Sequence, residues 1–127
     1  MTGAALVSVG VTTGCLFTND DDFKDEVLEA AKTSAEPMWH MPLNDEHRAS
    51  IKHEAADLSN LGRTPYGGSC TAAAFLEAFV EEDVKWCHLD IAGPALLRGG
   101  PKPAGCADQS GFGAALLVHL IKNGLNK

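Results

Sequence analysis

His88 and Asp90 are the residues of this 127-residue chain whose types and spacing best suit chemistry. They lie two apart in the segment VKWCHLDIAG, so a strand there would turn both side chains to one face. A carboxylate near the C-terminal end of a strand, beside an imidazole whose pKa burial can move, is a workable acid–base pair. The competing reading, which carries the greater weight, is that both satisfy the backbone of the loop that follows. His40, His47 and His53 share no metal-ligand spacing, HExxH is absent, and the three read as surface histidines. GxSxG does not occur, and no base can be placed beside a reactive Cys or Ser. The run Asp20, Asp21, Asp22 lacks the alternating oxygen ligands and the glycine of an EF-hand loop. Cys15, Cys70, Cys87 and Cys106 form no CxxC pair and no zinc-ribbon spacing, so they read as the reduced thiols of a cytosolic protein. Trp39, beside Pro42, reads as a packing anchor.

The elements that must position these residues follow from periodicity. Ala72, Phe75, Leu76, Phe79 and Val80 fall at helical spacing, with Ser69 or Thr71 as the N-cap. Glu81, Glu82 and Asp83 end that helix, because the dipole disfavours negative charge there. Residues 84–91 then form a short apolar run that stops at Ala92, Gly93 and Pro94, which predicts a buried strand of residues 86–91. A helix, a short loop and a strand are half of a βαβ unit, so the expected fold class is α/β with helices packed on a mostly parallel sheet.

Earlier in the chain, residues 4–9 are ambiguous between helix and strand, and residues 14–18 read as a strand. Asn19 or the aspartates after it cap a helix with Phe23, Val27, Ala30 and Ala31 on its apolar stripe, ending near Ala35 before Pro37. Residues 38–43 are extended between two prolines. Asn44 caps a polar helix over residues 45–52, and residues 55–64 form an irregular loop. Residues 97–110, rich in Gly and Pro, read as a surface loop. A last helix over residues 111–123 presents Phe112, Leu116, Leu117, Leu120 and Ile121, with Gly124 as its C-terminal cap.

Composition bounds the function. The chain is 45 % hydrophobic and 21 % charged, an ordinary globular ratio for one domain. A formal charge of -7 with only ten scattered basic residues argues against nucleic acid as a partner. The apolar stretch 4–17 lacks a basic leader and is broken by Gly10 and Gly14, so neither a signal peptide nor a membrane span is read there.

Several segments resemble, in order, the C-terminal part of the leucine aminopeptidase (cytosol aminopeptidase) family of two-metal exopeptidases. Thr2, Gly3 and Ala4 resemble the end of the family's ATLTGA segment, and Gly14 to Asn19 its following strand and turn. Trp39 to Leu43 (WHMPL) is similar to WRMPL, and Ala56 to Asn60 (ADLSN) to ADLxN. TAAAFLEAFV and WCHLDIAG match the family's TAAxFLxxFV and WxHLDIAG almost letter for letter. Ser110 to Gly113 resembles the TGxGxRxL start of the last helix. The likeness runs through nearly all of the chain, which is identified as a single partial domain, residues 1–127, of a mixed-sheet α/β sandwich.

The resemblance implies release of N-terminal amino acids, often leucine, from peptides by a pair of zinc or manganese ions that activate a bridging water. The family's metal ligands, a lysine and several acidic residues including those of NTDAEGR, have no counterpart here, nor do its catalytic arginine and second lysine. The expectation is therefore a chain begun at an internal position, with no catalytic residue and no metal ligand of its own. By position, Met1 would offer a backbone carbonyl and Gly3 a backbone N–H to the substrate main chain, while Gly3 and Leu6 border the pocket for its first side chain. Departures fall at Gln109, before the Ser110–Gly111 pair, and at Ala115, near the family's arginine. His88 and Asp90 match family positions that ligate no metal. The family also implies cytoplasmic location, hexamers, and no membrane partner. Two functions follow: a substrate-binding fragment active only with a missing N-terminal portion, or a non-catalytic assembly protein that keeps the fold. Loss of neighbouring strands predicts poor solubility or tight association of the chain alone.

Overall fold

The computed structural model describes residues 2–95 and 110–125. Met1, Cys106, Gln109 and most of the expected 97–110 loop lie outside them. Eight elements follow in order: α1 (Thr2–Val9), β1 (Gly14–Thr18), α2 (Asp21–Thr33), β2 (Met38–His40), α3 (Asp45–Ser50), α4 (Gly68–Glu77), β3 (Cys87–Asp90) and α5 (Ala114–Leu125). None of the described helices is long and apolar enough to cross a membrane.

The sheet has the order β2-β1-β3. β1 runs parallel to β2, pairing Gly14 with Met38, and antiparallel to β3, pairing Cys15 with Asp90. The α/β class is as expected, but the sheet is mixed rather than mostly parallel. Strand direction depends on how the chain returns from α4, which local sequence does not specify. All five residues of β1 are buried, because helices cover both faces. On one face Cys15 and Phe17 pack with Ala5 of α1 and with Cys70 and Ala73 of α4. On the other, Leu16 packs with Val27, Ala30 and Ala31 of α2 and Leu116 of α5.

α2 forms as its caps direct. The Asp20 carboxylate accepts the Phe23 N–H at 2.6 Å, and Asp21 and Asp22 occupy the positive end of the dipole. At its other end Ala35 adopts a left-handed φ of 55°, and the Glu36 N–H reaches back to the Ala31 carbonyl, the bond pattern of a Schellman termination. Glu36 then does a second job. Its two carboxylate oxygens accept the Gly113 N–H at 2.9 Å and the Leu116 N–H at 2.7 Å, which caps α5 and ties it to the end of α2.

Expectations about helix ends and faces are corrected at α4 and α5. α4 starts from Gly67 at a left-handed φ of 63°, without a side-chain cap, since Ser69 and Thr71 turn inward and are buried. It ends at Glu77, short of the acidic run, which is solvent-exposed. Its buried face is the small one, Cys70, Ala73 and Ala74, of which Cys70 and Ala73 pack with Cys15 and Phe17 of β1. Phe79 is left 69 % exposed, edge-to-face with Phe75. Gly124 lies inside α5 rather than capping it, and Leu117 and Ile121 of the expected inner face are exposed.

The β1–β3 pairing is fastened beyond its end. Thr18 Oγ1 donates to the Trp86 carbonyl at 2.6 Å, Asn19 Oδ1 accepts the Trp86 N–H at 2.9 Å, and Asn19 Nδ2 donates to the Val84 carbonyl at 2.9 Å. A Cβ at Gly93 would stand 2.8 Å from the Gly10 carbonyl oxygen, so the chain leaving β3 lies backbone against backbone on the end of α1.

Candidate functional site

β3 brings His88 and Asp90 to the face covered by α1 and α4, as the two-residue spacing requires. Register places Asp90 opposite Cys15 and His88 opposite Phe17. The His88 ring is sandwiched between aromatic neighbours, with centroids 5.9 Å from Phe17 and 6.4 Å from Trp86. Asp90 is 5 % exposed. One of its oxygens, Oδ1, accepts the Ala92 N–H at 3.2 Å, the loop-backbone role weighed above. Its other oxygen, Oδ2, and His88 Nε2 are buried without a hydrogen-bond partner among the described residues.

Burial holds the His88 imidazole below its ordinary pKa, against a weaker pull upward from Asp90. The ring is therefore the neutral species at physiological pH. The same burial, with Asp90 and Cys70 nearby, pushes the Cys15 thiol up, and desolvation does the same to Cys70 and Cys87. These three are free thiols that pack as small hydrophobes rather than as nucleophiles. For His88 a lowered folded pKa means that the unfolded chain takes up a proton first as pH falls. Stability from this group is thus complete above the ordinary histidine value of about 6.5 and is lost as pH drops below it. In urea titrations between about pH 7.5 and pH 5.5, wild type should lose more stability than His88→Gln. Equal losses would show that His88 does not carry the effect.

His47, His53 and His40 are structural or exposed. His47 completes a capping box on α3, with Nδ1 accepting the Asn44 N–H and Asn44 Oδ1 accepting the His47 N–H, both at 3.2 Å. His53 Nδ1 accepts the Ala55 N–H, and His40 is exposed. Trp39 is 65 % exposed on the edge strand β2 and is not the packing anchor expected of it. No three His, Cys, Asp or Glu side chains converge among the described residues, so these residues do not fit a two-metal centre.

Of the residues expected at a substrate, Met1 lies outside the described residues. Gly3 is exposed in the first turn of α1, where backbone N–H groups lack helical partners, and nothing stands within 4 Å of the place a Cβ would take. Leu6 is half-buried on the same helix. Beside α1 opens a groove of about 690 Å³ between α4 and the 60–65 loop, walled by Ala4, Leu61, Phe75 and Leu76 with Arg63 at its side. Neither Gly3 nor Leu6 lines it. Local sequence gives no sign of this groove, because residues 55–64 carry no periodicity and its other wall comes from a helix that follows them.

The profile described as "Cytosol aminopeptidase family, catalytic domain" matches residues 1–118. The chain is 45 % identical over 122 residues to the protein named "Probable cytosol aminopeptidase" of Chlorobium limicola, covering 96 % of this chain and 24 % of that protein. A protein of the same name from Aquifex aeolicus is 51 % identical over 96 residues, 75 % of this chain and 19 % of its own length. Among solved structures, a mutant of tomato leucine aminopeptidase superposes with a TM-score of 0.85 at 37 % identity, over 97 % of this chain and 23 % of its own. The chain thus spans about a quarter of the length of the relatives it matches.

Proposed function

The chain belongs to the cytosol aminopeptidase family, and from that premise we propose that it is the substrate-side wall and scaffold of a leucyl aminopeptidase. In this reading it releases N-terminal residues from peptides only when joined to a segment carrying the metal ligands. The observation that carries the reading is the match of nearly the whole chain to a quarter of the relatives' length, with the same backbone path as in a family structure. The family's divalent metals, zinc or manganese, would polarise the scissile carbonyl and activate water from ligands outside this chain. The described residues supply no donor set for them.

What this chain contributes is position. The position of Gly3 in the first turn of α1 and the open space beside it leave room for a peptide main chain against α1. Met1 would offer its carbonyl to that main chain, and Gly3 with Leu6 would border the pocket for an N-terminal leucine or similar side chain. The assembly would be a cytoplasmic homo-oligomer, a hexamer as in the family.

Purified chain alone, supplied with manganese or zinc, should hydrolyse no leucine p-nitroanilide. Mixed with the part of the Chlorobium limicola relative that it does not match, it should give chelator-sensitive turnover. Turnover by the chain alone would overturn the placement of the metal ligands. A mixture that associates without turnover would favour the non-catalytic assembly protein.

A further inference from the structure

We infer that Ser110 is a positioning residue: its hydroxyl pins the chain leaving β3 against the end of α1 and so fixes Leu6 at the border of the substrate pocket. The inference rests on the function given above, which sets Leu6 there. Ser110 lies 16 residues beyond Pro94 in sequence, yet its Oγ donates to the Pro94 carbonyl at 2.6 Å. The same oxygen accepts the Phe112 N–H at 3.1 Å, and the Ser110 N–H donates to the Ala95 carbonyl at 3.1 Å. One half-buried residue thus closes three hydrogen bonds between the exit of β3 and the approach to α5. The far side of this joint is itself held, because α5 begins on the Glu36 carboxylate.

From Pro94 the connection to α1 is short, and each link in it is a contact. The Ala95 N–H donates to the Ile91 carbonyl at 2.9 Å, which closes residues 91–95 into one turn. Gly93 is buried inside that turn, and a Cβ there would meet the Gly10 carbonyl oxygen. Gly10 follows α1, and its N–H donates to the Leu6 carbonyl at 2.9 Å. A displacement of Pro94 therefore reaches Leu6 through backbone atoms, and close packing leaves no slack to absorb it. Alanine at position 110 would take the donor from the Pro94 carbonyl and the acceptor from the Phe112 N–H in a part-buried place. A small misplacement far from the chemistry is enough to weaken substrate positioning. With the metal ligands outside this chain, the loss falls on binding of the first side chain rather than on the chemical step.

Steady-state kinetics of the chain mixed with the complementary part of the Chlorobium limicola relative test this, with leucine and alanine p-nitroanilides as substrates. For Ser110→Ala, KM for the leucine substrate should rise about fivefold, the worth of one hydrogen bond, while kcat stays within about twofold. The alanine substrate makes little use of the pocket border, so its KM should change by less than about twofold. Ser110→Thr keeps the hydroxyl and should restore the wild-type KM. Ser110→Cys, whose thiol donates and accepts weakly, should raise the leucine KM about twofold, and it serves if the alanine variant does not fold. An unchanged leucine KM in Ser110→Ala, with the wild-type mixture active, would overturn the inference and leave the function standing. A parallel fall of kcat on both substrates, or a threonine variant as impaired as the alanine one, would make Ser110 merely structural and overturn it as well. A wild-type mixture without turnover would remove the function and the inference with it.

Discussion

Replacing Phe17 by alanine is expected to cost about 3–5 kcal/mol, the range for large-to-small changes at fully buried aromatic positions. Phe17 is 0 % exposed on β1, the strand that carries both sheet pairings. Its ring fills the space between Ala5, Cys15, Cys70 and Ala73 and supports one side of His88. Native domains of this size hold only about 5–15 kcal/mol in total, so the variant should lose a large fraction of that. The urea midpoint should fall sharply, and the shift should be accompanied by loss of the depressed His88 titration, since the imidazole would regain access to water. Phe17→Leu refills most of the volume and should recover about half of the loss. A Phe17→Ala midpoint within about 0.5 kcal/mol of wild type would mean that β1 is not the centre of the core.

Glu36 should be the second most sensitive position, although it lies between elements rather than in one. Its carboxylate accepts two N–H groups from the first turn of α5, each charge-assisted and aligned with the helix dipole. Glu36→Ala leaves both donors without an acceptor and should cost about 2–3 kcal/mol. Glu36→Gln keeps one acceptor oxygen without the charge and should cost about half as much. The specific readout is exchange at the Gly113 and Leu116 amides, which should quicken in Glu36→Ala more than amides of α2 do. Uniform quickening across the chain would point to a general loss of stability instead of a lost cap.

Glu36 also shows where sequence reading stops. The Asp20 cap and the Val27–Ala30–Ala31 stripe of α2 were readable because cap and stripe lie within one helix. The partner of Glu36 lies 77 residues away at Gly113, and no local pattern records such a distance. β1 was readable to the residue, since Gly14 and Thr18 bound a short apolar run. The direction of β3 was not, because a strand's sequence is the same in a parallel or an antiparallel pair. α4 misled for a physical reason. Helical spacing marked Phe75, Leu76 and Phe79, but the face that the fold buries is the small one, Cys70, Ala73 and Ala74. At the candidate site the spacing of His88 and Asp90 correctly placed both on one face. That one oxygen of Asp90 would find the Ala92 N–H while the other found nothing depended on tertiary structure. The family likeness was legible in ordered motifs because they record side-chain identities that the shared backbone path demands.

Gly93, read from the sequence as punctuation after a strand, has a different meaning in the folded chain. With the Gly10 carbonyl 2.8 Å and the Val11 Cα 3.1 Å from where its Cβ would be, the position is closed even to a methyl group. It works as a spacer gauge, holding the end of α1 and the exit of β3 too close for a side chain to stand between them. Variation among descendants of this sequence should therefore be confined at position 93 far more tightly than at Gly3 or Gly124, where open space surrounds the backbone. The end of α1 is thereby referenced to the exit of a strand far along the chain by the absence of a side chain.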